Sequence, residues 1–239
     1  MSAAEIKRIA QGLVIHHKLD DNNGTIISDS SGYGFHGAII DTASFSTDTP
    51  RYKYSINLST NTSGIEHNIF PFNIFNDECT IAFWIKPQNE NDGRSVYCGS
   101  YNGTSFSLEK TTNNTLRIYW SGSPDLTTTN LTISDNIWQH IAITKNKEKT
   151  QILCYKNGEL MDTLTNNFTD KEWNGIYRLG RDSRTGATGY NGLMSDFRIY
   201  CTALSNNEII KLYHTSASIY GNQILETFEC VETSTNIFT

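Results

Sequence analysis

Residues 138–164, WQHIAITKNKEKTQILCYKNGELMDTL, constrain the fold more than any other stretch. Two β runs, HIAITKN and QILCYKN, flank the polar turn KEKT. Asn157–Gly158 then turns the chain into ELMDTL. Asn-Gly suits the type I′ turn, whose twist matches that of the strands it joins. The stretch therefore reads as a three-stranded antiparallel meander.

The same grammar runs through most of the chain. LVIHHKLD (13–20), YSINLS, GIEHNIF, RSVYCGSYNG, SFSLEK, TLRIYW, IYRLG and GLMSDFRIY are further strands. CTIAFWIKP, Cys79–Pro87, carries apolar residues on both faces, as a strand buried inside a sandwich does. In TLRIYW, Leu116, Ile118 and Trp120 face one way and Arg117 and Tyr119 the other. Polar DNNGTIISDSSGYGFHG follows the first strand, and its glycines permit tight turns. SNNEIIKLYHT is the one helix: Ser205 is its N-cap, and Glu208, three residues on, completes a capping box. Many short strands with frequent turns predict an all-β, antiparallel two-sheet sandwich with one short C-terminal helix. Residues 1–12 read as a lead-in, 13–214 as the domain, and 215–239 as a tail or the start of a further element.

Charge narrows the partners. Charged residues are 18% of the chain and the net charge is −6. That excludes a basic nucleic-acid-binding surface and leaves neutral sugars and proteins open. No apolar run is long enough to span a membrane, and MSAAEIKRIAQG has no signal-peptide core. The five cysteines form no CxxC pair and read as free thiols, which fits folding in a reducing cytoplasm.

Three constellations carry possible chemistry. Asp20, Asp21, Asp29 and Asp196 are hard-oxygen donors of the type calcium needs. The alternative is that they cap turns through side chain–backbone bonds. Sugars need aromatic platforms beside polar partners. Tyr33 with Phe35, Tyr101 with Asn102, Trp120 with Asp125, Trp173, and Arg181, Asp182, Arg184 and Tyr190 of RDSRTGATGYN are the candidates. The alternative for each aromatic is a core position; Trp84 and Trp138 read as core. For catalysis, Glu109 and Glu159 are lone acids, without the partner that a glycosidase requires. His16 and His17 are adjacent on a strand, so they point to opposite faces.

The segments LVIHHKLDD, DSSGYGFHG, CTIAFWIKP, WQHIAITKNKEKTQILCYKNGELM and YRLGRD…YNGLMSDFRIYCTALSNNEI resemble, in order, the LamG-like (laminin-G/pentraxin, concanavalin A-like) jelly-roll domains. The resemblance covers roughly residues 13–214 and implies a jelly-roll topology. It also implies a structural calcium ion at Asp20, the carbonyl region of Gly34, and Asp196. A looser likeness to bacteriophage virion proteins implies a particle assembled in the host cytoplasm. The leading expectation is a non-catalytic carbohydrate- or surface-binding module of such a virion, its partners a glycan or cell-surface polymer and other virion proteins. A structural decoration or assembly protein attached through its terminal segments is the alternative, and a polysaccharide hydrolase the third.

Overall fold

The computed structural model describes residues 12–59, 62–67, 76–88, 94–101, 104–120, 125–169, 176–182 and 189–217. Two antiparallel sheets of eight strands each contain nearly all of the regular structure. The first holds β1 (Leu13–His17), β4 (Ala43–Ser46), β5 (Ser55–Leu58), β7 (Cys79–Pro87), β12 (Gln139–Lys145), β13 (Gln151–Lys156), β14 (Glu159–Thr165) and β16 (Gly192–Tyr200). The second holds β2 (Ile26–Ile27), β3 (Gly37–Ile40), β6 (Gly64–His67), β8 (Arg94–Tyr101), β9 (Thr104–Lys110), β10 (Thr115–Trp120), β11 (Leu126–Thr132) and β15 (Ile176–Leu179). Their spatial orders are β14-β13-β12-β7-β16-β5-β4, with β1 also on β16, and β11-β10-β9-β8-β15-β6-β3-β2. Neighbours distant in sequence, such as β7 and β16, make this the jelly-roll sandwich that the strand pattern predicts.

Alternation sorts the side chains between faces. On β7, Ile81, Phe83 and Ile85 enter the core between the sheets, while Ala82 lies on the outer face. The helix α1 (Asn206–Ala217) covers that outer face, packing Ile209 and Leu212 with Ala82, Ala142, Tyr155 and Tyr200. Its capping box forms as expected: the Ser205 N–H donates to Glu208 Oε2 (2.7 Å) and the Glu208 N–H to Ser205 Oγ (3.4 Å). The meander is β12–β13–β14, and Asn157 and Gly158 at its turn both adopt positive φ, as a type I′ turn demands.

A bulge in β16 organises the first sheet. Ser195 pairs with Trp84 and Arg198 with Ala82, so Asp196 and Phe197 together oppose Phe83. Asp196 takes up the extra residue with φ 53°. The shift turns Phe197 into the core and leaves Asp196 among the polar groups beside Arg198. At the same point the neighbour of β16 changes: β5 pairs with Gly192–Met194, and β1 with Phe197–Tyr200.

Asp162 ties the sheets together at one corner. Its carboxylate, on β14, accepts the N–H groups of Thr129, Asn130 and Leu131 on β11, the last at 2.7 Å. Burial alone raises this carboxyl, yet these bonds hold it below its ordinary value.

Close backbone packing shows at Gly99 of β8. A Cβ there would fall against the Tyr177 ring. Gly99→Ala is expected to cost about 1–3 kcal/mol through overpacking, measured as a lower urea midpoint.

Candidate functional site

Polar side chains collect on the outer face of the second sheet. One register row crosses six strands: Ala38, Glu66, Arg178, Cys98, Ser107 and Tyr119. The alternation that buries Ile65, Tyr177, Phe106 and Ile118 in the core turns these residues outward. Arg178 Nε and Nη2 both donate to Glu66 Oε2, at 3.0 and 2.9 Å. Ser107 Oγ donates to Glu109 Oε1 (2.8 Å), and Arg117 Nε to Glu109 Oε2 (3.0 Å). Asp125 lies 3.8 Å from Arg117. Asp182, after β15, accepts the Cys98 thiol at 3.8 Å. Ser107, Cys98, Glu109 and Asp182 are buried, so the groups this face leaves open to a ligand are the acids Glu66 and Asp125 and the guanidinium groups of Arg117 and Arg178, chemistry that suits a polyhydroxylated ligand.

The structure divides the residues expected to bind sugar. Asp125 joins this face and is exposed, whereas Asp182 is buried, 3% exposed, against Cys98. Arg181 follows β15 and donates from Nη1 to the Thr62 carbonyl (2.8 Å). Tyr33 is 52% exposed and stacks on Phe35 at 6.3 Å, in the loop between β2 and β3 at the edge of the same sheet. Trp120 and Tyr190 are corrections: both are 1% exposed, inside the core. Trp120 follows the inward alternation of β10 and packs edge-on against Phe106, and the Tyr190 hydroxyl donates to the Leu193 carbonyl. Trp173, Asn102, Arg184 and the side chain of Tyr101 lie outside the described residues. Trp138 was read as core, yet it is half-buried, and its Nε1 donates to exposed Asp48 (2.8 Å). Its place just before β12, at the strand's rim, was the available signal.

The acids expected of a hydrolase do not meet. Glu109 is on β9 of the second sheet and Glu159 on β14 of the first. Glu109 is engaged by Ser107 and Arg117. Two carboxyls flanking one glycosidic bond require a separation of about 5–10 Å across a shared cleft, which opposite sheets do not provide.

The Asp196 carboxylate, expected at a metal site, is engaged by the protein's own groups. Its carboxylate accepts Arg198 Nε (2.8 Å), Arg51 Nη1 (2.8 Å), His16 Nε2 (2.9 Å) and the Tyr52 hydroxyl (3.3 Å). Two guanidinium groups supply the positive charge that the resemblance assigned to calcium. Burial pushes this carboxyl up, but Arg198, the His16 bond and Arg51 overcome it and hold it far below the carboxylate range. Burial lowers His16 below its ordinary value, against the hydrogen bond to Asp196, which raises it. Burial, with Asp196 next, pushes Tyr52 up to about 12. Asp29 caps a turn instead, accepting the N–H groups of His16, Ser31 and Phe35. Asp20 is half-buried and Gly34 exposed. Among the described residues no group of three or more His, Cys, Asp or Glu is arranged to hold a metal ion.

Comparison with known proteins accords with this geometry. The family described as the concanavalin A-like lectin/glucanases superfamily matches residues 59–210. No curated protein matches the chain. Domain 4 of AbnA, a GH43 extracellular arabinanase from Geobacillus stearothermophilus solved with arabinotriose, is similar in structure. The match has a TM-score of 0.67 at 21% identity and covers 84% of this chain and 98% of that one. The binding domain of botulinum neurotoxin DC, solved with rat synaptotagmin II, has a TM-score of 0.68 at 17% identity, covering 87% and 52%. The binding domain of botulinum neurotoxin serotype D has a TM-score of 0.69 at 19% identity, covering 86% and 52%. The chain therefore spans about half of each toxin domain. At these identities the likeness is one of fold.

Proposed function

The chain belongs to the concanavalin A-like lectin/glucanases superfamily, and from that premise we propose that it is a non-catalytic carbohydrate- or surface-binding module. The accessible acid and guanidinium groups on the outer face of the second sheet, Glu66, Arg178, Arg117 and Asp125, carry this reading. Hydrogen-bonding groups spaced along neighbouring strands suit successive sugar hydroxyls, and Tyr33 and Phe35 at the sheet edge offer an apolar platform. The separation of Glu109 from Glu159 supports a binder over a hydrolase. The AbnA domain, solved with an oligosaccharide, supports a glycan as the ligand class. A role in virion adhesion extends this reading: a phage-like particle would use the module to hold a surface polymer.

The test is binding of the chain to an array of neutral oligosaccharides. Arg178→Gln and Asp125→Asn are each expected to weaken the bound glycan about 10- to 100-fold, the cost of losing a hydrogen bond to a charged group. Retention of full affinity in both variants, or an array without a single ligand, would count against the proposal. Release of reducing ends from a bound polysaccharide would replace it with the hydrolase reading.

A further inference from the structure

Residues 32–36 (GYGFH), the tip of the loop between β2 and β3, carry the stacked pair Tyr33 and Phe35, and two histidines hold them to the domain. His17 is fully buried on β1, and its Nε2 donates to the Phe35 carbonyl (2.8 Å). His36 is exposed, and its Nδ1 accepts the Asp29 N–H (3.1 Å). The Asp29 carboxylate accepts the Phe35 N–H (3.0 Å). The base of the loop is fixed separately: the Ser30 N–H donates to the His16 carbonyl and Ser31 Oγ to the Val14 carbonyl, both at 2.8 Å. Gly32 and Gly34, with φ 97° and 77°, stand between base and tip, so the tip can turn while the base stays in place.

Both histidine contacts work against protonation. A backbone N–H only donates, so the His36 bond needs the lone pair on Nδ1, and a proton there removes it. His17 already donates from Nε2, so its second proton must go to Nδ1, which is buried without a hydrogen-bond partner. The new charge would face His67 of the second sheet, edge-on at 5.3 Å and itself stacked on Tyr97 and Tyr177. Phe197 and Gly37 pack nearby and carry no charge. Burial lowers His17 below its ordinary value; the Phe35 bond, Asp29 and Asp21 oppose this, and His16 adds to it. Burial raises Asp29, yet bonds from Ser31, His16 and Phe35 hold it below its ordinary value, so it stays charged while histidines titrate. Lifting the tip takes Phe35 off His17 and lets water solvate the charged ring. We propose that His17 and His36 form an acid-released latch, which holds Tyr33 and Phe35 in place at neutral pH and frees them, with the bound glycan, in acid. The release rests on the glycan-binding reading of these two rings. Because His17 is lowered in the closed loop, the open loop binds the proton better. Closure is therefore complete above about pH 6.5 and is lost as pH falls toward the closed-state value.

Amide hydrogen exchange at about pH 7.5 and 5.5, corrected for the intrinsic rate, reads loop opening without a ligand. The protection factor of the Phe35 amide should fall about tenfold or more, the effect of one coupled histidine a unit below its open-state value. Amides of β7 and β12 should keep theirs. Binding to the neutral-oligosaccharide array should weaken over the same interval. The double variant His17→Gln/His36→Gln keeps a donor for Phe35 and an acceptor for Asp29 but cannot titrate, so its Phe35 protection should be equal at both pH values. If that variant does not fold, the ring signals of His17 and His36 in the parent chain, followed by NMR, should titrate together with the loss of Phe35 protection. Unchanged protection, or an equal fall in β7 and β12, would overturn the latch. Glycan held equally tightly at both pH values would overturn the release and leave the binding function standing. A loop that opens in acid on a chain that binds no glycan at either pH would overturn the glycan-binding reading, and the release with it.

Discussion

Asp196→Ala should lower the folding free energy by about 3–5 kcal/mol, the cost of leaving buried cations without their counter-charge. The Asp196 side chain is 1% exposed, while those of Arg198 and Arg51 are 11% and 16% exposed. Alanine would strand both guanidinium groups and remove the acceptor of His16 and Tyr52 together. Urea unfolding measures the loss, and a loss below about 1 kcal/mol would show that solvent reaches the pair and screens it. Acid gives a second handle with a definite sign. The folded carboxyl is depressed below the unfolded value of about 3.9. Its contribution is therefore complete above that pH and is lost as pH falls toward the folded value. Asp196→Asn should be less stable at neutral pH and show a flatter decline below about pH 4 than the parent.

Phe197→Ala should cost a comparable 3–5 kcal/mol, for a different reason. Phe197 is fully buried where the two sheets face each other. Its ring lies 4.9 Å from that of Tyr97, 6.0 Å from His67, 6.2 Å from His17 and 6.3 Å from Phe83. Truncation leaves a cavity bounded by strands of both sheets, which cannot collapse without moving one sheet on the other, so the large-to-small penalty is expected near its upper range. The measurable signature is a lower denaturant midpoint at unchanged slope. Phe197→Leu, which keeps most of the volume, should recover more than half of the loss.

Much of the frame was legible because it rests on local pattern. β7 and β16 have the bounds that their apolar runs indicate, and the capping box at Ser205 is as the spacing says. β2, β3 and β4 were missed: each has two to four residues, and they sit in glycine- and polar-rich sequence with little alternation. β11, LTTTNLT, was missed because threonine counts as polar in a hydrophobic pattern while favouring strands. The binding surface was harder to read. Alternation already pointed Trp120 inward, so its burial was readable. Tyr190, flanked by glycine and asparagine, looks like a loop residue, and its burial is set by strands distant in sequence. Arg51 and Asp196 are 145 residues apart; nothing local announces that a loop arginine will occupy the place expected of a cation. His16 and His17 do face opposite ways, His16 toward Asp196 and His17 toward Phe197 in the core.

The shared edge of β16 also sets the order in which the molecule can assemble. β7 and β1 have β16 as a common neighbour, and the bond from His16 to Asp196 spans 180 residues. During synthesis, the middle of the first sheet stays vacant until Tyr200 has left the ribosome. Until then β5 and β7 expose unpaired edges, and β1 has no partner in its sheet. Closure of so long a loop makes folding slow for the chain's size. The interval before closure is when the nascent chain is most open to mispairing with other strands. Emergence of β16, rather than of the first strands, is then the step that commits this domain to its native state.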